Sequence, residues 1–175
     1  MSKGEREAGD AEIETLVEGL ARAEGMGLKR ARLSLVALGK SAVPALCEAL
    51  RNSEASKVRW EAAKALGAIG DAAAASVLVG ALEDNDADVA WLAAEALRKM
   101  KAAAWPDLLR ALVERGSVSA ALRRGAHHAL WKQKDKDYDD QLGSLKKALE
   151  FDTVPESTPL EARAFLSQLE DKGEA

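Results

Sequence analysis

The sequence is poor in sulfur and in aromatic rings: its 175 residues include one cysteine, one tyrosine and two phenylalanines. A single cysteine, Cys47, cannot form an internal disulfide, which excludes the disulfide-stapled class of secreted proteins. Runs of β-branched and aromatic residues are nearly absent, so we expect no β-sheet. The scarcity of these residues predicts a helical protein from a reducing compartment.

Long apolar runs and targeting signals are also missing. No segment approaches the ~18 consecutive apolar residues of a membrane-spanning helix. The polar start, MSKGEREAGDAE, lacks the apolar core of a secretory signal peptide. The net charge of −4 gives no general attraction to nucleic acid. We therefore expect a cytoplasmic protein without membrane contact.

The sequence also lacks a catalytic or metal-binding pattern. It contains no phosphate-binding glycine loop and no nucleophile elbow. Its two histidines, His127 and His128, are adjacent. On a helix they diverge by ~100°, so they cannot hold one metal ion together. We predict that the protein is not an enzyme and uses no metal or cofactor.

The sequence does contain two alternating phrases. One, which we call B, reads VRWEAAKAL at 58–66, VAWLAAEAL at 89–97 and LRRGAHHAL at 122–130. The other, which we call A, reads AVPALCEAL at 42–50 and AWPDLLRAL at 104–112. Two helical phrases that alternate every ~30 residues are typical of an array of helical hairpins.

The spacing of the phrases predicts one domain, residues 10–171, made of five hairpins. They are expected at 11–39, 41–69, 71–100, 102–133 and 138–171. Asp10 is the expected cap of the first helix, between a disordered leader at 1–9 and, at the other end, a disordered tail at 172–175. Before the last helix, the residues STPLE predict a capping box with Thr158 as N-cap.

The phrases at 42–50 and 58–67 together resemble the short HEAT repeats, in particular the subtype named after phycobilisome lyases. The resemblance covers roughly residues 28–132. It implies an all-α, right-handed α-α superhelix (a HEAT/armadillo-like solenoid), with the B helices lining a concave face. The chain departs from the family pattern at Ala90, where the family has arginine. Gly125, in the middle of a B helix, costs ~1 kcal/mol relative to alanine and predicts a looser fourth hairpin.

Within the B phrase, the Val, Ala, Ala and Leu positions are expected to form the core, so the intervening positions point to the concave face. Trp105 and Trp131 lie outside these positions and are expected to pack inside the protein. The candidate partner-binding residues on the concave face are Arg32, Trp60, Lys64, Trp91, Leu92, Glu95, Arg124 and His128.

Trp60 and Trp91 occupy equivalent outward positions on B helices that stack ~8–10 Å apart. One interpretation is an exposed aromatic ridge with Arg32 and Arg124 at its ends, because tryptophan and arginine are enriched in binding hot spots. The other interpretation is that the rings lie flat against neighbouring helices and only thicken the stack. The sequence leaves both open.

Charge is segregated between the two sets of helices. The first four B segments carry a net positive charge and the A segments a net negative charge. A basic concave face predicts an acidic ligand: an acidic peptide, a protein surface or a nucleic-acid backbone. Pairing between neighbouring repeats explains the same charges, and Arg59 is then the partner of a loop carboxylate.

The HEAT resemblance implies a family that contains scaffolds, adaptors, lyase subunits and a few enzymes. From the Trp60–Trp91 ridge we predict a non-catalytic scaffold or adaptor. We predict a protein partner on the concave face. The default oligomeric state is a monomer, and the alternative is a homodimer through an exposed terminal repeat. One alternative is a nucleic-acid-binding protein, similar to the HEAT-like DNA-repair glycosylases, that uses the basic face. A second alternative, a chromophore-lyase subunit, rests on the subtype's name.

Overall fold

The computed structural model describes residues 3–150 and 153–173, and side chains from residue 9 onward within those ranges. These residues form α-helices, short 3-10 helices and turns, with no strand among them. The α-helices are α1 Lys3–Arg22, α2 Gly25–Leu38, α3 Val43–Asn52, α4 Ser56–Ile69, α5 Ala75–Gly80, α6 Ala87–Met100, α7 Trp105–Arg115, α8 Ala120–Leu130, α9 Asp139–Ala148 and α10 Ser157–Asp171. The 3-10 helices are Gly39–Ala42, Ala72–Ala74, Ala81–Glu83 and Lys101–Ala104.

Consecutive α-helices pair into five hairpins, and the hairpins stack into a helical solenoid. The A helices α1, α3, α5 and α7 contact one another in order, as do the B helices α2, α4, α6 and α8. The predicted all-α solenoid of about five hairpins is therefore confirmed. The last hairpin is packed differently, because α10 lies against the A helix α7.

The core follows the B phrase. The Val, Ala, Ala and Leu positions of α4 are at most 5% exposed, and the equivalent positions of α6 are buried as well. In α8 the equivalent residues are buried except His127, which is half-buried. Small side chains at these positions allow the helices to approach closely. A Cβ added to Gly67 would lie 2.9 Å from the Cβ of Ala96, so α4 and α6 touch there almost backbone to backbone.

Capping residues fix where the A helices give way to the B helices. The Asp86 carboxylate accepts the backbone N–H groups of Asp88 and Val89 and begins α6. Ser119 accepts the N–H of Leu122 at 3.1 Å and begins α8. These caps satisfy donors that a helix start leaves without a partner.

Both ends of the chain differ from the expected boundaries. Helix α1 begins at Lys3 rather than at Asp10, because the glutamate, arginine and alanine before Asp10 are good helix formers. Of the predicted leader and tail, residues 1–2 and 174–175 lie outside the described residues. Helix α10 begins at Ser157, and Thr158 is not its N-cap, because its hydroxyl donates to the carbonyl oxygen of Ala148.

The stretch Gly25–Asn52 has the length and mean hydropathy, 1.4, of a membrane-crossing helix. The stretch resembles a membrane span in length and composition only, and 39% of its 18-residue apolar window is buried in the protein. Gly39, with φ of 60°, separates α2 from α3. Neither helix alone reaches the ~20 residues that a bilayer requires, and the two belong to different hairpins.

Candidate functional site

The second and third hairpins are joined by Arg59 of α4. Its Nε and Nη2 atoms donate to the two carboxylate oxygens of Asp84 at 2.7 and 2.8 Å, and Nη2 also donates to Asn85 Oδ1 at 2.8 Å. Its Nη1 donates to the carbonyl oxygens of Ser53 and Glu54, in the loop of its own hairpin. This confirms that Arg59 is the partner of a loop carboxylate. Its planar fork of donors suits such a bidentate contact.

The electrostatics of this bridge favour the ionised pair. Burial opposes ionisation of Asp84, but the hydrogen bonds from Arg59 and from the Asp86 backbone outweigh it, and the pKa of Asp84 is lowered. The hydrogen bond to Asp84 raises the pKa of Arg59 in turn. Arg59 is therefore a structural residue of the stack.

The candidate residues of the first two hairpins are also engaged inside the stack. The Arg32 Nε atom lies 2.7 Å from Glu61 Oε2, and the two side chains are only 15% and 7% exposed. Trp60 is half-buried against the core, and the Lys64 ammonium lies 4.2 Å from the centre of its ring. Such cation–π contacts contribute about 0.5–1 kcal/mol. These candidate residues are therefore engaged with other residues of the stack.

Trp91 of α6 differs from its counterpart Trp60, because 54% of its surface is exposed. Its ring meets the ring of His128 edge-on, with centroids 6.0 Å apart. No ring contact joins Trp60 to Trp91 in the described chain. Of the two residues, Trp91 is therefore the one that is largely exposed, and the continuous ridge stays a prediction.

Glu95 holds the next candidate residues in place. It accepts two hydrogen bonds from Arg98, at 3.0 and 2.7 Å, and its Oε1 lies 2.6 Å from Nε2 of His128. The hydrogen bonds from Arg98 are the main reason that the pKa of Glu95 is lowered to about 2. His128 lowers it further, and the two partners together outweigh burial, which raises the pKa. Leu92, on the same helix, packs against the core.

A groove of about 430 Å³ runs between α6 and α8, beside Trp91. Its floor consists of small residues, Ala90, Ala94, Ala121 and Gly125. Its walls are formed by Trp91, Arg124 and His128, and Asp84 and Asn85 stand at one end. Three of the eight predicted binding residues, Trp91, Arg124 and His128, therefore come together at this groove.

Two positions explain why the groove is open. Ala90 is equivalent in the B phrase to Arg59 and Arg123, whose long side chains donate to loop carbonyl oxygens of their own hairpins. Gly125 is equivalent to the buried Glu61 and to Leu92. A Cβ on Gly125 would lie 2.8 Å from Leu82 Cδ2, so α8 sits directly on Leu82. The glycine thus permits close packing of α8 on the third hairpin, and a looser pairing of α7 with α8 stays a prediction.

Arg124 is the exposed cation of the groove. Among the described residues it forms no hydrogen bond or ion pair. It also borders a second opening of about 820 Å³, between α8 and the loop before α10, where His127 and Trp131 lie. Arg124 can therefore reach a ligand in either opening.

Sequence reasoning misplaced Trp131 and missed Asn85. Trp131 was expected to be packed but is 53% exposed, because α8 ends at Leu130. Its ring lies against that of His127, with centroids 5.3 Å apart. Trp105, by contrast, is buried as predicted, against Tyr138 and Phe165. Asn85 could have been identified from the sequence, because it directly follows the loop aspartate Asp84.

The described residues contain no cluster of three metal-binding side chains. Cys47 is buried, and burial raises the pKa of its thiol. A raised pKa disfavours the thiolate that nucleophilic or metal-binding chemistry requires.

Comparison with known families places this architecture. A model described as HEAT repeats matches residues 13–98 and 43–131, which together span more than half of the chain. It does not distinguish the phycobilisome-lyase subtype, which stays a prediction. The chain is also similar to an engineered protein of known crystal structure, at 22% identity and a TM-score of 0.43, over 93% of this chain and 85% of that one. No curated protein matches. The chain belongs to the HEAT-repeat family.

Proposed function

We propose that this protein is a non-catalytic scaffold or adaptor whose protein partner binds the B-helix face between the third and fourth hairpins. The observation that supports this most is the exposure of Trp91, 54%, at the edge of the α6–α8 groove. A large exposed apolar side chain beside a groove usually marks a contact surface. HEAT repeats, as a family of helical arrays, commonly serve protein interaction.

The eight candidate residues take different parts in this proposal. Trp91 is the apolar anchor, Arg124 binds an acidic or carbonyl group, and His128 forms the wall between them. The remaining five support the surface from inside the stack. They are Arg32, Trp60, Lys64, Leu92 and Glu95.

A protein partner fits the charges better than a nucleic-acid backbone does. A phosphate backbone requires several unpaired cations along its path. On this face Arg32 is paired with Glu61, Arg98 with Glu95, and the Lys64 ammonium lies over Trp60. Arg124 alone remains as an unpaired arginine at the groove. One such cation suits a protein surface with a small acidic patch.

The proposed setting is the cytoplasm, and the proposed state without a partner is a monomer. The buried, unpaired Cys47 thiol is compatible with a reducing compartment.

Affinity capture with a matched pair of tryptophan variants tests the proposal. Trp91→Ala and Trp131→Ala remove the same side chain at nearly equal exposure, 54% and 53%. Trp131 borders the second opening rather than the α6–α8 groove. Each chain is incubated with a lysate of the cells that produce the protein. We expect the proteins that bind the wild-type chain to bind Trp131→Ala as well and to be lost from Trp91→Ala. Equal retention by both variants would contradict the proposed surface.

A further inference from the structure

We infer that the α6–α8 groove binds a peptide segment that carries an acidic side chain next to an apolar one. The carboxylate binds Arg124, and the apolar side chain lies on the alanine floor beside Trp91. This inference rests on the proposed function and specifies the chemistry of the partner.

The floor of the groove selects for an apolar group. Ala90, Ala94 and Ala121 present methyl groups, and Gly125 presents backbone that is already hydrogen-bonded within α8. A polar side chain placed there would lose its water without gaining a partner. The volume of about 430 Å³ lies within the range of ordinary ligand sites. The floor is therefore suited to one or two aliphatic side chains.

The charges around the groove select for an acid. The carboxylates nearby are already engaged, Asp84 by Arg59 and Glu95 by Arg98 and His128. Arg124 has no such partner among the described side chains. An incoming carboxylate would thus meet an unpaired guanidinium, whereas an incoming lysine or arginine would meet no unpaired carboxylate. Hydrogen bonds between guanidinium and carboxylate are among the strong ones in proteins.

Asn85 adds a donor for the backbone of the same segment. A guanidinium can only donate, so Asn85 must turn its amide oxygen toward Arg59, as the 2.8 Å contact shows. Its NH₂ group then remains for another acceptor, and no described residue supplies one. Asn85 stands at the end of the groove, where it can donate to a peptide carbonyl. A segment that runs from Asn85 along the Arg124 wall therefore finds one donor at the end of the groove and a second donor beside it.

The position of Ala90 provides a way to close the groove. Arg59 and Arg123 occupy the equivalent position in their own hairpins, and their side chains donate to carbonyl oxygens of the loop between the two helices. We expect Ala90→Arg to adopt the same arrangement and occupy the groove. Ala90→Leu fills it without adding charge, which separates blocking from electrostatic effects.

The test is selection from a random twelve-residue peptide library displayed on phage, with the full chain as bait. We expect enriched peptides to carry Asp or Glu beside an aliphatic residue. Each is then synthesised in its acidic form and with the corresponding amide, and both affinities are measured by tryptophan fluorescence. We expect the acid to bind at least about tenfold more tightly than the amide, as loss of a charge-assisted hydrogen bond implies.

Variants then assign this preference to the groove. With Arg124→Ala, the acid and the amide should bind equally. The control Arg110→Ala removes a similarly exposed arginine from the A helix α7 and should leave the preference unchanged. Ala90→Arg and Ala90→Leu should each weaken binding at least about tenfold while circular dichroism shows an intact fold.

Several results would overturn the inference: no enrichment, an equal affinity for acid and amide, an acid preference that survives Arg124→Ala, or unchanged binding by both Ala90 variants. If any of these occurs while captured proteins still depend on Trp91, the scaffold function stands and only the peptide chemistry is wrong. If capture does not depend on Trp91 either, both fail.

Discussion

Arg59 and Asp84 lie on successive hairpins, and the guanidinium of one binds both carboxylate oxygens of the other, at 2.7 and 2.8 Å. Their side chains are only 11% and 9% exposed. A buried charge pair depends on complete hydrogen bonding, and here the backbone carbonyl oxygens of residues 53 and 54 complete the set. The pair therefore sets the position of the third hairpin on the second.

Replacing Arg59 should destabilise the stack strongly. Arg59→Ala leaves Asp84 buried without its main partner, and we expect a loss of about 3–5 kcal/mol in the free energy of unfolding. Urea denaturation measures this loss. As a control, Arg22→Ala breaks an ion pair whose side chains are 80% and 61% exposed, and should change the free energy by less than about 0.5 kcal/mol. Similar losses for the two variants would contradict a structural role for Arg59.

Two glycines inside helices should respond in opposite directions to alanine. Gly143 of α9 has open space around its missing Cβ, so Gly143→Ala should stabilise the protein by about 0.5–1 kcal/mol. A Cβ on Gly125 would overlap Leu82, so Gly125→Ala should destabilise it by about 1–3 kcal/mol. Thermal and urea unfolding compare the two. Stabilisation by Gly125→Ala would show that α8 does not press on Leu82.

Glu95 should contribute a stability increment that acid removes. Its pKa is lowered from 4.5 to about 2, so the increment is complete above pH 4.5 and is lost as the pH falls toward 2. The partners Arg98 and His128 are 40% and 38% exposed, so solvent screening limits the increment to about 1 kcal/mol. Glu95→Gln should therefore be less stable than wild type at neutral pH, and the difference should shrink as the pH falls and vanish below pH 2. A constant difference across this range would contradict the assignment.

Trp60 and Trp91 should separate stability from binding. Trp60 packs against the core, so Trp60→Ala should reduce the free energy of unfolding by about 2 kcal/mol. Trp91 is more than half exposed, so Trp91→Ala should change it by less than about 0.5 kcal/mol. Equilibrium unfolding measures both. A large loss of unfolding free energy for Trp91→Ala would mean that its ring supports the stack. The capture experiment would then be repeated with the more conservative variant Trp91→Phe.

The fold was predictable because its signals are local and repeated. The burial of Val58, Ala62 and Leu66 follows from helical periodicity, and each recurrence of the phrase strengthens the assignment. The pairing of Arg59 with a loop carboxylate was also predictable, since the loop of the next hairpin carries Asp84 and Asp86. These features depend on residues close in sequence or on the repeat itself.

The availability of side chains was much harder to predict. Arg32 and Glu61 pair across two B helices, and their meeting depends on how those helices are aligned along their axes, which the repeat does not specify. Thr158 fitted a capping box, but its hydroxyl found the Ala148 carbonyl oxygen in a buried setting. Trp131 is exposed because helix α8 ends one residue before it. In each case tertiary context decided between two locally acceptable arrangements.

The alternation of arginine and alanine at equivalent positions has a consequence for stoichiometry. Residues 31, 59, 90 and 123 read Ala, Arg, Ala and Arg along the array. Near Ala31, the Arg32–Glu61 pair lies between α2 and α4, whereas near Ala90 the facing residue is Gly125. Within the described hairpins, an alanine at this position and a glycine facing it occur together at one junction, the one between α6 and α8, although the sequence is periodic. A ligand that requires both is therefore held in a one-to-one complex and in a single register along the solenoid.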